Sequence, residues 1–134
     1  MVRSILVPVD DSPLADKAMD HAFTLAARFG ARVQVLSVGA APASEVQTAA
    51  LRARVDQRLG NGHHVPASSV DVRHAVGEPL PVILATAKGV DLVVMGTHGR
   101  QNLADRLFGS TTERVLLEGT SAMLIVRDDA AEPA

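Results

Sequence analysis

Val90-Asp91-Leu92-Val93-Val94-Met95-Gly96-Thr97-His98-Gly99-Arg100, closing nine residues on with Gly109-Ser110-Thr111-Thr112-Glu113, is the stretch that decides the fold. An apolar run from Val90 to Met95 enters a glycine-bearing loop, and a helix-like segment leaves it. The fixed positions are Gly96, Gly99, Gly109 and Ser110, a G-x2-G-x9-G-S pattern. Glycines just after a buried strand let backbone N–H groups approach an anion closely, and a helix N-terminus adds positive partial charge. That is the chemistry of a phosphate cradle. It lacks the Gly-Lys-Ser/Thr ending of a P-loop and the Gly-x-Gly-x-x-Gly of a dinucleotide turn.

Outward from this stretch the chain alternates strand-like and helix-like segments. Ile5-Leu6-Val7-Pro8-Val9 is a continuous apolar run, as expected of a strand covered on both faces. Ser12 reads as an N-cap with Pro13 at the first helical position. Leu14, Ala18, Ala22, Leu25 and Phe29 recur at helical spacing up to Gly30. Val33 to Val38 predicts a second strand. Ser44 with Gln47 forms a capping box for a helix striped by Leu51, Val55 and Leu59, and Arg52, Arg54, Asp56 and Arg58 around that stripe read as a solvated face. Val70 to His74 alternates like an edge strand. Pro79 and Pro81 open a third helix, and Gly89 ends it. Val90 to Met95 is the fourth strand. Ser110 to Glu113 reads as a capping box for a helix running to about Glu118, and Met123 to Val126 is the fifth strand.

Strands interleaved with helices in this way predict an α/β fold: an open five-stranded parallel sheet with helices on both faces. Residues 1–127 form its single domain, and 128–134 a short acidic tail that frays. Right-handed crossovers limit the strand orders without fixing one. In doubly wound sheets the ligand lies beyond the carboxyl ends of the strands where the order reverses. If the first and fourth strands are neighbours there, Asp10 and the Gly96 loop share one crevice.

Composition narrows the function. The chain has 134 residues, 47% hydrophobic, with a formal net charge of -2. Aromatics are 2% and there is no basic tract, against a nucleic-acid or membrane-surface partner. The absence of cysteine excludes disulfides, zinc-thiolate sites and thiol catalysis. Without a signal peptide or a membrane-length apolar run, the expected location is cytoplasmic. His63-His64 sits in a polar turn with no acidic residue at ligand spacing, so no metal site is expected there. His21 and His74 read as surface or half-buried groups. Met19, Met95 and Met123 read as core. No Gly-x-Ser-x-Gly nucleophile elbow occurs.

Taken together, Ile5-Leu-Val-Pro-Val-Asp10-Asp-Ser12, Val35-Leu-Ser-Val38, Gly77-Glu-Pro79, Asp91 to Arg100, Leu107-Phe-Gly109-Ser110 and Leu124-Ile-Val126 resemble the universal stress protein family along nearly the whole chain. The glycine pattern resembles the signature of that family's ATP-binding branch. The resemblance implies an adenine nucleotide alpha-hydrolase-like sheet of order 3-2-1-4-5, a homodimer, and an ATP-binding, stress-linked regulatory role. It implies a nucleotide-binding set of Pro8, Val9, Asp10, Ser12, Val38, Met95, Gly96, Thr97, His98, Gly99, Arg100, Gly109, Ser110 and Thr111. In it Asp10 lies beside the adenosine part, the Val38 backbone holds adenine, and Gly96, Gly99, Gly109 and Ser110 cradle ribose and phosphates. No catalytic residue is implied. The chain departs from the family pattern at Ala122, where proline is frequent, and its short segment before the second helix predicts a more open rim.

Glu113 in the first turn of the fourth helix would oppose a polyphosphate, so Mg²⁺ is expected with the ATP. No water-orienting base stands in the motif, so turnover is expected to be slow or absent. Met123, Leu124, Ile125 and Val126 form an unbroken apolar strand that the order 3-2-1-4-5 puts at an edge, which predicts pairing with a second copy. Two other readings stand beside this one. A related ATP-pyrophosphatase-like enzyme would want a Ser-Gly-Gly loop where this chain has Asp11-Ser12-Pro13. A nucleotide-free interaction module would not need the intact glycines.

Overall fold

The computed structural model describes residues 1–97 and 110–127. The predicted alternation is present. The elements are β1 (Ser4–Pro8), α1 (Pro13–Phe29), β2 (Arg32–Gly39), α2 (Glu45–Leu59), β3 (Val70–Val76), α3 (Pro79–Ala87), β4 (Leu92–Gly96), α4 (Ser110–Glu118) and β5 (Ala122–Val126). The strands form one parallel sheet in the order β3-β2-β1-β4-β5.

Alternation along each strand divides the interior in two. Ile5, Val7, Val33, Val35 and Val94 face α1 and α2, in a core centred on the fully buried Met19 and Phe23. Leu6, Leu36, Val93 and Met95 face the other way, against Ile83 and Ala87 of α3 and Val115 of α4. The helix pairs lie on opposite faces because the crossovers reverse direction after β3 while keeping one hand. Full burial of a side chain such as Phe23 contributes about 2–3 kcal/mol. The three methionines read as core behave so: Met19 and Met95 are buried, and Met123 packs on the second cluster.

Local chemistry explains the boundaries. Ser12 Oγ accepts the Ala15 N–H, Pro13 opens α1, and Gly30 ends it at φ 66°, a left-handed conformation that suits glycine. The Ser44–Gln47 capping box of α2 is reciprocal. The fourth strand starts later than expected, at Leu92. Val90 N–H still donates to Ala87 O in the exit of α3, and the Asp91 side chain is turned to the start of β1. The third strand is longer than expected because β2 pairs with it as far as Gly39–Val76.

The solvated-face reading of α2 is corrected for two of its arginines. Arg54 Nε donates to Asp16, and Arg58 donates to Asp20 through both Nε and Nη2. Those pairs are one turn apart on each helix, and the two helices pack side by side, so α2 meets α1 along a charged seam. The Asp20 carboxylate raises the pKa of Arg58 further. Arg52, by contrast, pairs only locally, with Asp56 of its own helix, among the ion pairs of the described residues. His63 has an acidic neighbour that is distant in sequence. Its Nε2 lies 3.5 Å from Asp20 Oδ1 and its ring packs edge-on to Phe23.

Candidate nucleotide crevice

The site is set by where β1 stops. Pro8 is its last residue, paired with Leu36 of β2. On the other side β1 pairs with β4 only through Ile5–Leu92 and Leu6–Val93. Val9 N–H donates to Leu36 O at 2.8 Å, so the alternating backbone turns the nitrogen of Pro8 towards β4. Proline has no hydrogen to give there. The ladder between β1 and β4 lapses at the point where strand order reverses, the place where doubly wound sheets take their ligands. A proline in a central strand, unwelcome as a ladder member, sits here where no ladder is wanted.

Beyond Pro8 the chain turns within a few residues. Asp10 Oδ1 accepts the Ser12 N–H at 3.0 Å and the Ser12 hydroxyl. The same hydroxyl oxygen accepts from Ala15 as the cap of α1. Asp10 is half-buried and Ser12 buried, so the turn is tied to the helix start by its own side chains. Counting forward from the paired residues puts Asp10 level with Val38 of β2 and Thr97 after β4. The Val38 side chain packs on the α3 side of the sheet, leaving its backbone near the end of β2. Val9 and Met95 are buried beneath this level, and Thr97 is 4% exposed with its N–H bonded to Val126 O.

The other wall is the start of α4. Thr112 is buried and donates its hydroxyl to Gly96 O at 2.7 Å, which fixes the first helical turn against the end of β4. Ser110 lies in α4, and the residue before it lies outside the described residues. The side chain that ties this turn back to the strand is Thr112, because its hydroxyl points at a strand-end carbonyl that needs a donor. Ser110 is exposed and Thr111 half-buried on the same turn. Glu113 is exposed there too. His98, Gly99, Arg100 and Gly109 lie outside the described residues.

Sequence reasoning missed two contributors. Thr112 left no signal beyond its place in the motif. Arg54 did: Asp16 and Asp20 on α1, and Arg54 and Arg58 on α2, share a spacing of four. Arg54 reaches beyond Asp16 into the site, its Nη1 donating to Asp10 O and its Nη2 to Ser12 O at 3.0 Å. At the opposite pole of the sheet, Asp91 Oδ2 accepts the Arg3 N–H at 2.8 Å and the Ser4 N–H and hydroxyl. These bonds, the Arg3 amide first, hold the Asp91 carboxyl below its usual range.

The family model of the universal stress proteins matches residues 1–127. The chain belongs to the universal stress protein family. A universal stress protein of Mycolicibacterium smegmatis is 33% identical over 132 residues, covering 92% of this chain and 45% of the relative. The chain thus spans about half the length of that curated relative. Among solved structures, universal stress protein UspA from Lactobacillus plantarum superposes with a TM-score of 0.79 at 25% identity, over 94% of this chain and 98% of that one. A universal stress protein solved in complex with cAMP superposes with a TM-score of 0.74 at 26% identity, over 93% of this chain and 96% of that one. The strand order of this universal stress protein is the one expected, and among the described residues no helix is long and apolar enough to cross a membrane.

Proposed function

We propose that this universal stress protein binds ATP in the crevice between β1 and β4 and acts as a cytoplasmic, stress-responsive regulator with little or no ATP turnover. The observation that carries the reading is the intact glycine pattern issuing from β4 at the reversal of strand order, beside the turn of Asp10 and Ser12. The cAMP complex of a structural relative supports an adenine nucleotide as the ligand. The residues present fit the ligand chemically. Asp10 offers an acceptor at the adenosine end and the Val38 backbone an edge for adenine. The hydroxyls of Ser110 and Thr111, with the N–H groups of the first turn of α4, suit the phosphates. Mg²⁺ would offset the charge of Glu113 facing a polyphosphate.

Slow turnover follows from the same chemistry. Asp10 Oδ1 already accepts two hydrogen bonds from Ser12, which suits holding a ligand rather than orienting a water. A regulator of this kind needs two states with different nucleotide affinity.

The protein is also proposed to be a homodimer through Met123, Leu124, Ile125 and Val126. β5 pairs with β4 on one side and ends the sheet on the other. Leu116 and Leu117 of α4, the helix that precedes β5 in the chain, are 41% and 72% exposed, apolar surface that a partner could cover.

The test is calorimetric titration of ATP, AMP and cAMP into the wild type and Gly109→Glu, with Mg²⁺ present. Loss of a charge-assisted phosphate contact should weaken ATP by more than about tenfold. Equal ATP affinities would remove the site assignment, and tighter binding of cAMP than ATP would change the ligand.

A further inference from the structure

Arg54 joins the second helix to the turn after β1. Arg54 belongs to α2, a helix with one buried side chain, Val55, and with Leu51 and Leu59 only partly buried against the core. Its guanidinium is spread over three acceptors: the Asp16 carboxylate of α1 and the Asp10 and Ser12 carbonyls of the turn before that helix. The Arg54 side chain is 22% exposed and that of Asp16 29%, so the contact is largely screened from water.

Such a fork can do what few groups can. A planar guanidinium holds two carbonyls at fixed separation while its Nε keeps the ion pair, and lysine lacks that geometry. The two carbonyls bracket Asp11. All peptide bonds among the described residues are trans, so a carbonyl held towards α2 turns the N–H of the same peptide the opposite way. Fixing the Asp10 and Ser12 carbonyls therefore fixes the orientation of the Asp10–Asp11 peptide. With it is fixed the frame in which the Asp10 carboxylate takes its two bonds from Ser12.

We infer that Arg54 is a positioning residue of the crevice: it holds the turn of Asp10 and Ser12 in the shape that receives the adenosine part of the nucleotide. The inference rests on the nucleotide reading above. Because the same fork docks α2 on α1, the seating of α2 and the shape of the turn are one event. A change that lifts α2 alters the adenosine end of the site and leaves the β4–α4 end alone.

The experiment compares full-length wild type, Arg54→Met, Arg54→Lys and Asp16→Asn by calorimetric titration with AMP and with ATP, each protein first shown to be folded by circular dichroism. Arg54→Met should weaken both nucleotides by the same factor, about tenfold, since the phosphates are held elsewhere. Arg54→Lys should fall between it and wild type. Asp16→Asn keeps the carbonyl fork and should stay within about twofold of wild type. Hydrogen exchange at the amides of Ser12 and Ala15 should quicken in Arg54→Met and not in Asp16→Asn. Wild-type affinity in folded Arg54→Met overturns the inference, as does a loss confined to ATP or an equal loss in Asp16→Asn. If Arg54→Met does not fold, Arg54→Lys decides on the same criteria. Failure of the wild type to bind either nucleotide is a different result, and it removes the nucleotide reading together with this inference.

Discussion

Replacing Thr112 with valine removes one hydroxyl and keeps the branched shape of the side chain. That hydroxyl makes a 2.7 Å hydrogen bond to Gly96 O and sits on a residue only 4% exposed. A neutral hydrogen bond contributes about 0.5–1.5 kcal/mol net, and a buried acceptor left without its donor costs about 1–3 kcal/mol. Gly96 is half-buried, so water recovers part of the loss, and the expected cost is about 1–2 kcal/mol. For a chain of this size that corresponds to roughly 4–8 °C in Tm. Urea denaturation at neutral pH measures it, with an unchanged m value showing that the folded and unfolded states keep their exposed areas. The variant should also bind ATP more weakly while still folded, because the first turn of α4 is no longer tied to β4. Thr112→Ser keeps the hydroxyl and should keep the affinity, whatever the lost methyl does to stability. A destabilisation under about 0.5 kcal/mol would show that water replaces the hydroxyl fully and that the bond does not hold the helix in place.

The remaining predictions concern the sheet edge, the opposite pole and the chemistry. Light scattering at micromolar concentration should give twice the 14.0 kDa chain mass, and Ile125→Lys should bring it down to a single chain. A monomeric wild type would refute strand pairing at β5. Asp91 has its pKa depressed in the folded state, so its stabilisation is complete above its ordinary value of 3.8 and is lost as pH falls through the folded value. Asp91→Asn should therefore lower the urea midpoint at neutral pH, with the gap to wild type closing below pH 3.8; a gap that stays constant into acid would exclude the charge as its cause. Single-turnover assays with Mg²⁺ or Mn²⁺ should show ATP hydrolysis far slower than about 1 s⁻¹, and a rate at or above that range would make the protein an enzyme.

Much of this architecture is legible in the residues because it is set locally. Ser12-Pro13, Gly30 and Ser44 with Gln47 satisfy helix ends with neighbours in sequence, and each works as its spacing predicts. The continuous apolar runs of β1 and β4 announce strands covered on both faces. Strand order is not local: crossover handedness leaves several orders open, and the family resemblance selects the one found. Contacts between distant segments are the least legible. The spacing of four shared by Asp16 and Asp20 with Arg54 and Arg58 is visible in sequence, but nothing local says that the two helices pack side by side, whereas Arg52 pairs with Asp56 of its own helix. Ser110 and Thr112 both carry a hydroxyl two residues apart, and it is the position of the Gly96 carbonyl, not their spacing, that gives Thr112 its bond to β4. Pro8 looks misplaced in a central strand until its missing donor is seen to face the gap between β1 and β4.

The paired charges between α1 and α2 bear on where this chain tolerates changes of length. Asp16 and Asp20 meet Arg54 and Arg58 with the same spacing on both helices, like two teeth of one gear. Deleting or inserting one residue within either helix ahead of its pair turns everything beyond by about 100°. Both contacts are then lost together rather than one at a time, and the fork on Asp10 and Ser12 goes with them. The connection from Ala40 to Ala43 precedes the Ser44 cap, so added residues there leave the register of α2 intact. Length variation that keeps the charged seam is thus confined to the connections, and a variant altered inside α2 should lose the seam unless it restores the spacing of four.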